Sequence, residues 1–449
     1  MSGRNEINNG LLSGSQLGKL HVLFALGTAV LILPTLVVLV AKEDSWITLT
    51  LAWPLNYVFL FAPLALNKRF PNFSVVTYSQ KILGRWGGTL YMLIYIGFFI
   101  LLSAFTLRNM GDFIGTAILP ETPRWFTHIT FMIVIAYGVL LGAEVIGRTG
   151  ELLFMWIFIV TGIVFLLLFN KMDYNNMFPI LANGWGQPLG GLYPIVGFPL
   201  GEYTFMMMLL QLVRPEDRPK LRRKLWSYAV VIGVSALAMT FLLLTVLGVE
   251  LATRSPYAVY DMAKEIDLGD VVERVEITIA VIWISTVFTK FVLCFYVANL
   301  AAAELLRFST YRSLTVPLAF IVVPLSLVVY RNSAQITQFA FDSWPVLSVF
   351  QGLVMPLALL AIAAMRGLRD DSYPAINVIP GAGGNAGGGQ PDAQAGSKAD
   401  GQAGGTESQE AEKGDSEPAY NRTQSSLVLT QDGKDISGNM ENSGEEKQQ

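Results

Sequence analysis

The chain has little of what soluble enzymes are usually built around. Of its 449 residues only one, Cys294, is a cysteine. An intrachain disulfide and a cysteine-rich metal site are therefore both excluded. The two histidines, His21 and His128, stand far apart and form no metal-ligand spacing. Charged residues make up 14% of the chain against 53% hydrophobic, and the mean hydropathy is +0.48. That balance belongs to a polytopic membrane protein and not to a soluble globule. No nucleophile–base constellation or phosphate-binding loop is present, so the sequence argues against an enzyme and implies no cofactor or metal. The basic residues sit in short loops between apolar runs, which gives no support to a nucleic-acid partner.

Long apolar runs are what the chain does have. Hydropathy predicts ten spans, at roughly 17–41, 45–67, 87–112, 125–143, 149–170, 192–213, 224–249, 273–303, 313–330 and 343–366. The N-terminus, MSGRNEINNGLLSGSQLGK, is polar, and the first apolar run is too long for a cleaved signal peptide. Seventeen Lys and Arg fall in loops on one side and eight on the other, which puts both termini in the cytoplasm. The organisation expected is a cytoplasmic N-terminus at 1–16, a ten-helix domain at 17–369 and a tail at 370–449. That tail carries 14 acidic and 5 basic residues and is rich in Gly, Gln and Glu. It cannot bury a core and is expected to be disordered.

The domain is organised around 192–213, LYPIVGFPLGEYTFMMMLLQLV. Its middle reads Gly197, Phe198, Pro199, Leu200, Gly201, Glu202. Proline removes a backbone donor and clashes with the preceding turn, and glycine weakens a helix further. A carboxylate facing lipid would be costly. Unpaired backbone at membrane depth survives only against protein or a wet cavity. Span six is therefore expected to break into two half-helices around a cavity. Span one is its counterpart if the ten spans are two halves of five, and it holds Gly27, Thr28 and Ala29 with Pro34 beyond. Paired interruptions of this kind point to a transporter-type site at the bilayer midplane. The fold class expected is an all-α membrane protein, a 5+5 inverted repeat with helices one and six broken.

Several strings then resemble a known family. They are GTAVLILP in span one, KRFPNFSVVTYSQKILGRWGGTLYMLIYIGFF, LRNMGDF with LPETP, GAEVIGR, and FPLGE followed by an arginine–proline step. In order and spacing, over roughly residues 10–367, they resemble the spore germination permease family. Those proteins are the membrane-embedded B subunits of nutrient germinant receptors and belong to the amino acid/polyamine/organocation transporter superfamily. The resemblance implies the leucine-transporter fold and residence in the spore inner membrane. It also implies a small nutrient of amino-acid type as ligand, and A and C subunits as partners.

A midplane pocket between broken helices offers free N–H groups at half-helix N-termini and free C=O groups at C-termini. A zwitterionic amino acid suits both. Its carboxylate is expected near Gly27, Thr28 and Ala29, and its amine near Gly197, Phe198 and Leu200, with Gly201 and Glu202 just past the break. Glu202 reads either as an N-terminal helix carboxylate or as a functional group, the amine contact or a site of proton coupling. In span eight, Thr286 and Lys290 share a face at i and i+4. In the family's fold that face flanks the break of span one. Lys290 is thus a built-in substitute for a bound cation or a structural charge paired with Glu202. Arg108 and Asp112, also i and i+4, are expected to snorkel at a membrane interface, as are Glu144 and Arg148. The basic run at 214–224 sets topology and offers a contact to lipid. Two functions share this pocket: a germinant-sensing subunit and a proton-coupled amino-acid transporter.

Overall fold

A computed structural model describes residues 11–255, 257–266, 276–330 and 333–369. By internal contacts the chain divides into 1–382 and 383–449. The second unit, and with it the expected disorder of the tail, lies outside the described residues. The described residues are helical almost throughout.

The first helix, α1 (Gly14–Ala29), starts at a capping box in which Ser13 accepts from the Gln16 N–H and Gln16 returns the bond. Both orphan donors of the first turn are thereby satisfied. The helix stops at Ala29, and α2 (Leu33–Ala41) restarts with Pro34 in its first turn. Proline has no N–H to continue the ladder. The expected break in span one is present, a few residues beyond Gly27. A turn at Lys42, where φ is 48°, leads into α3 (Ser45–Arg69). Next come α4 (Val75–Phe113), α5 (Arg124–Leu141) and α6 (Ala143–Leu168).

Span six is several short pieces. They are α7 (Gly186–Gly190), α8 (Leu192–Gly197), a 3-10 turn over Leu200–Phe205 and α9 (Met206–Leu209). Between α8 and the 3-10 turn Phe198 is extended, with φ −130° and ψ 122°. Its N–H still reaches Pro194 O at 2.8 Å, and the Glu202 N–H reaches Pro199 O at 3.1 Å. The remaining helices are α10 (Arg218–Arg254), α11 (Ala258–Met262), α12 (Glu276–Leu305), α13 (Arg312–Val328), α14 (Ser333–Asp342), α15 (Trp344–Val349) and α16 (Met355–Met365). A π-turn over Phe350–Val354 joins the last two.

Among the described residues, eight helical stretches are long and apolar enough to cross a membrane. That is two fewer than the ten spans expected. The difference has a physical source. The broken span one leaves α1 at 16 residues, while α2 runs on with α3 in one stretch of 37. Arg312–Val328 is apolar but short. Helices α4 and α10 exceed the predicted spans 87–112 and 224–249 because each joins a second helical segment across a kink, at Gly84 (φ 80°) in α4 and at Gly248 (φ 68°) in α10; Ser74 caps α4 by accepting from the Thr77 N–H.

Burial separates the centre from the rim. Within the stretch Gly186–Leu212, 83% of the apolar window is buried, against 17% for Ala143–Lys171. The broken element is therefore central, and α6 turns most of its surface outward. Helix α1 packs on α12, α10 and α6, and α12 packs on α4. The breaks of spans one and six thus face the unbroken α12.

Candidate functional site

Three elements meet at one polar point. The last turn of α1 carries Thr28, the 3-10 turn carries Glu202, and the middle of α12 carries Lys290. The Lys290 ammonium donates to Glu202 Oε2 at 2.6 Å and also to Thr28 Oγ1. Lys290 is 3% exposed and Glu202 not at all. Two charges in a dry interior are tolerated when paired and hydrogen-bonded. The rings of Phe24 and Phe198 stand 5.3 and 6.0 Å from the ammonium, close enough for cation–π attraction. The Trp344 indole faces the carboxylate, but its N–H and Glu202 Oε1 both stay outside hydrogen-bond geometry. One carboxylate oxygen is thus buried and without a donor.

Three glycines make this convergence possible. A Cβ on Gly27 would lie 3.0 Å from Lys290 Cβ and 3.1 Å from the Thr286 carbonyl. Glycine lets α12 lie this close to α1, since an added Cβ would need a shift of a few tenths of an ångström. A Cβ on Gly201 would come within 2.7 Å of the Ser348 backbone, and one on Gly352 would fall on the Gly201 carbonyl. Span ten is thereby pressed directly against the break in span six.

The other predicted residues fall around this point in different roles. Ala29 and Leu200 line a small void together with Asn56 and Pro199. That void measures about 20 Å³, room for about one water and not for an amino acid. In this conformation the space between the two breaks is closed. Gly197 packs on Pro345. Phe198 stacks on Trp344 with ring centroids 5.4 Å apart, and Trp344 stacks on Phe98 at the same distance. The Thr286 hydroxyl donates to Trp283 O at 2.8 Å within its own helix, while the Thr286 carbonyl faces Gly27 of α1. Among the described residues no group of three or more His, Cys, Asp or Glu could hold a metal.

The structure corrects the placement of Arg108 and Asp112. They pair at 2.8 Å as the i,i+4 spacing predicts, but they do not snorkel: their exposures are 3% and 5%. Neighbours on other elements bury them. Arg108 also donates to Leu327 O at 3.2 Å and lies 5.1 Å from the Tyr330 ring. Arg124 approaches the second Asp112 oxygen at 3.5 Å. Glu144 and Arg148 form the expected exposed pair at 2.5 Å. Outside the spans, burial and the nearby Asp112 push the Tyr257 hydroxyl up to about 12. The hydrogen bond to Asp261 holds Lys264 above its usual value.

Sequence reasoning passed over Trp344 and Gly352, which close the site from span ten. It also passed over Asn56, whose side chain accepts from Tyr203 at 2.9 Å. The signal for Trp344 was a proline-adjacent aromatic at the head of an apolar run. Nothing local marks Gly352.

Residues 11–336 match the family described as spore germination protein. Spore germination protein KB of Bacillus subtilis (strain 168) is 26% identical over 364 residues, which cover 80% of this chain and 96% of that protein. Spore germination protein YndE of the same organism is 26% identical, over 63% of this chain and 78% of its own length. Among solved structures, MhsT in complex with L-phenylalanine matches with a TM-score of 0.55 at 13% identity, covering 80% of this chain and 99% of that one. A mutant manganese transporter of Eremococcus coleocola matches at 0.51 and 12%, covering 80% and 81%. At such identities the likeness is one of fold, and the fold is the all-helical leucine-transporter type.

Proposed function

This chain belongs to the spore germination protein family, and we propose that it is the nutrient-sensing membrane subunit of a germinant receptor, binding a small amino-acid-type nutrient between spans one and six. The reading rests on one observation. At the point where both broken spans face α12, a buried ammonium and carboxylate from this chain's own side chains, Lys290 and Glu202, stand 2.6 Å apart. They have the charges of a zwitterion and occupy the place where a zwitterion would bind. An arriving ammonium finds the unpartnered Glu202 Oε1. Its carboxylate then competes with Glu202 for Lys290 and draws on the hydroxyl of Thr28. Phe198 and Trp344 wall the side-chain end.

The 20 Å³ void must widen for this. The short pieces of span six, held by few helical hydrogen bonds, are the elements able to move. A ligand that binds the opened arrangement shifts the population toward it, and that shift is the signal passed to the A and C subunits in the spore inner membrane. Both termini lie in the cytoplasm in this reading.

A second reading, proton-coupled transport of the same nutrient, is favoured by the same orphaned oxygen, since a buried carboxylate with a free oxygen is suited to carry a proton. The test pairs two measurements: radiolabelled amino-acid uptake into proteoliposomes, and germination of spores lacking the gene. A germination defect without uptake supports the sensor. Uptake without a germination phenotype supports the transporter and overturns the proposal.

A further inference from the structure

A second and roomier cavity lies away from the ion pair. It measures about 260 Å³ and sits between α1, α6, α10, α11 and α12. Its deep wall is Leu26, Ala29 and Val30, the last turn of α1 and the start of the break. Its mouth lies between α6 and α10, where Gly162 and Val234 are exposed. Both belong to apolar membrane-crossing stretches, so bilayer hydrocarbon and not water bathes that opening.

The lining decides what can fill it. Apart from the Thr161 and Ser235 side chains it is apolar. A buried water needs two to four polar partners, whereas apolar cavities of about 150 Å³ stay dry and take up benzene. An empty cavity of this size would forfeit dispersion contacts along its whole wall. Water is poorly held and vacancy is costly, while hydrocarbon satisfies the wall and is present at the mouth. We propose that this cavity binds one acyl chain of a bilayer phospholipid, which inserts between α6 and α10 and reaches Ala29 and Val30. Thr28, the residue before Ala29, holds Lys290. The acyl chain and the ion pair therefore bear on the same turn of α1.

The test uses the full-length protein in phosphatidylcholine vesicles doped with a phosphatidylcholine that carries a diazirine at the end of one acyl chain. After irradiation, labelled peptides are mapped by mass spectrometry. Labelling is expected on Leu26, Ala29 or Val30, which are shielded from general lipid contact by burial. The exposed Leu152 and Phe320 report background. Ala238→Phe, inside the cavity, should lower α1 labelling fivefold or more and leave the background unchanged. Gly162→Leu serves if that variant fails to fold, because a Cβ there meets no atom within 4 Å; it narrows the mouth and should act the same way. Label confined to exposed residues, or α1 labelling that both variants leave unchanged, overturns the proposal.

Discussion

Lys290 and Glu202 stand 88 positions apart in the chain and meet across 2.6 Å in the middle of the bundle. The two ends of the pair are unequally supported. Lys290 rides on α12, an unbroken helix of 30 residues, whereas Glu202 rides on a 3-10 turn of six. Short 3-10 runs have poorer hydrogen-bond geometry than an α-helix. Release of the pair is therefore expected to move span six and leave span eight in place.

The first prediction follows from burial of the pair. Lys290→Met keeps the stem and strands a buried carboxylate, a loss of about 3–5 kcal/mol. Thermal unfolding of the purified variant should show it, and nutrient response should be weak or absent. Combining it with Glu202→Gln removes both charges and should restore most of the stability. Response is the deciding measurement. If the double variant germinates normally, the pair is structural and the ligand binds elsewhere. Lys290→Arg should rescue poorly, since a planar fork replaces a compact charge on a stem already against Gly27.

Gly27 tests the contact between span one and span eight. An added methyl sits 3.0 Å from Lys290 Cβ, so Gly27→Ala requires shifts of a few tenths of an ångström and should cost about 1–3 kcal/mol, as overpacking usually does. Gly27→Leu cannot be absorbed this way. It should abolish the nutrient response while the protein remains at normal level in the membrane fraction. A wild-type dose–response curve for the leucine variant would remove span one from the site.

How much of this could be read in advance depended on the range of the interaction. The breaks in spans one and six are local: Gly, Pro and a carboxylate inside an apolar run announce them. Lys290 announces itself for the same reason. The i,i+4 spacing of Arg108 and Asp112 also gave their pairing, but one helix cannot report what covers it. Their depth is set by Leu327, Tyr330 and Arg124, all on other elements. Gly352 is invisible for a related reason, because its importance lies in a carbonyl 151 positions earlier. The 260 Å³ cavity is a space between five helices and leaves no mark on any one of them.

The depth of Arg108 gives a contrast within one protein. Asp112→Asn leaves a buried guanidinium with a carbonyl and no counter-charge, and about 3–5 kcal/mol of stability should go with it. Glu144→Gln breaks an exposed pair of the same i,i+4 spacing and should change stability by about 1 kcal/mol or less. Thermal unfolding of the two variants side by side is the check. Equal effects would mean that Arg108 reaches water.

The tail should be separable from sensing. From residue 370 onward its composition is that of a segment unable to bury a core. Truncation after Arg369 should leave membrane insertion and nutrient response near wild type. Loss of response at normal protein level would show that the tail binds something the receptor needs.

The closest approach in the site, Gly352 against the Gly201 carbonyl, sets the last prediction. Backbone cannot yield as a flexible side-chain end does, so Gly352→Ala must push span ten away from the broken span six. Trp344, eight residues before Gly352 on the same span, would then lose its stack on Phe198 and its place facing Glu202. The alanine variant should therefore be less stable than Gly27→Ala, whose added methyl meets mainly a lysine stem. It should also alter the concentration of nutrient needed for half-maximal response, because the wall of the ligand space has moved. Met355, three residues beyond Gly352 and partly buried, provides the control: Met355→Leu should change neither quantity measurably. If Gly352→Ala behaves like that control in both unfolding and dose–response, the contact between spans six and ten is dispensable and Trp344 is not held by it.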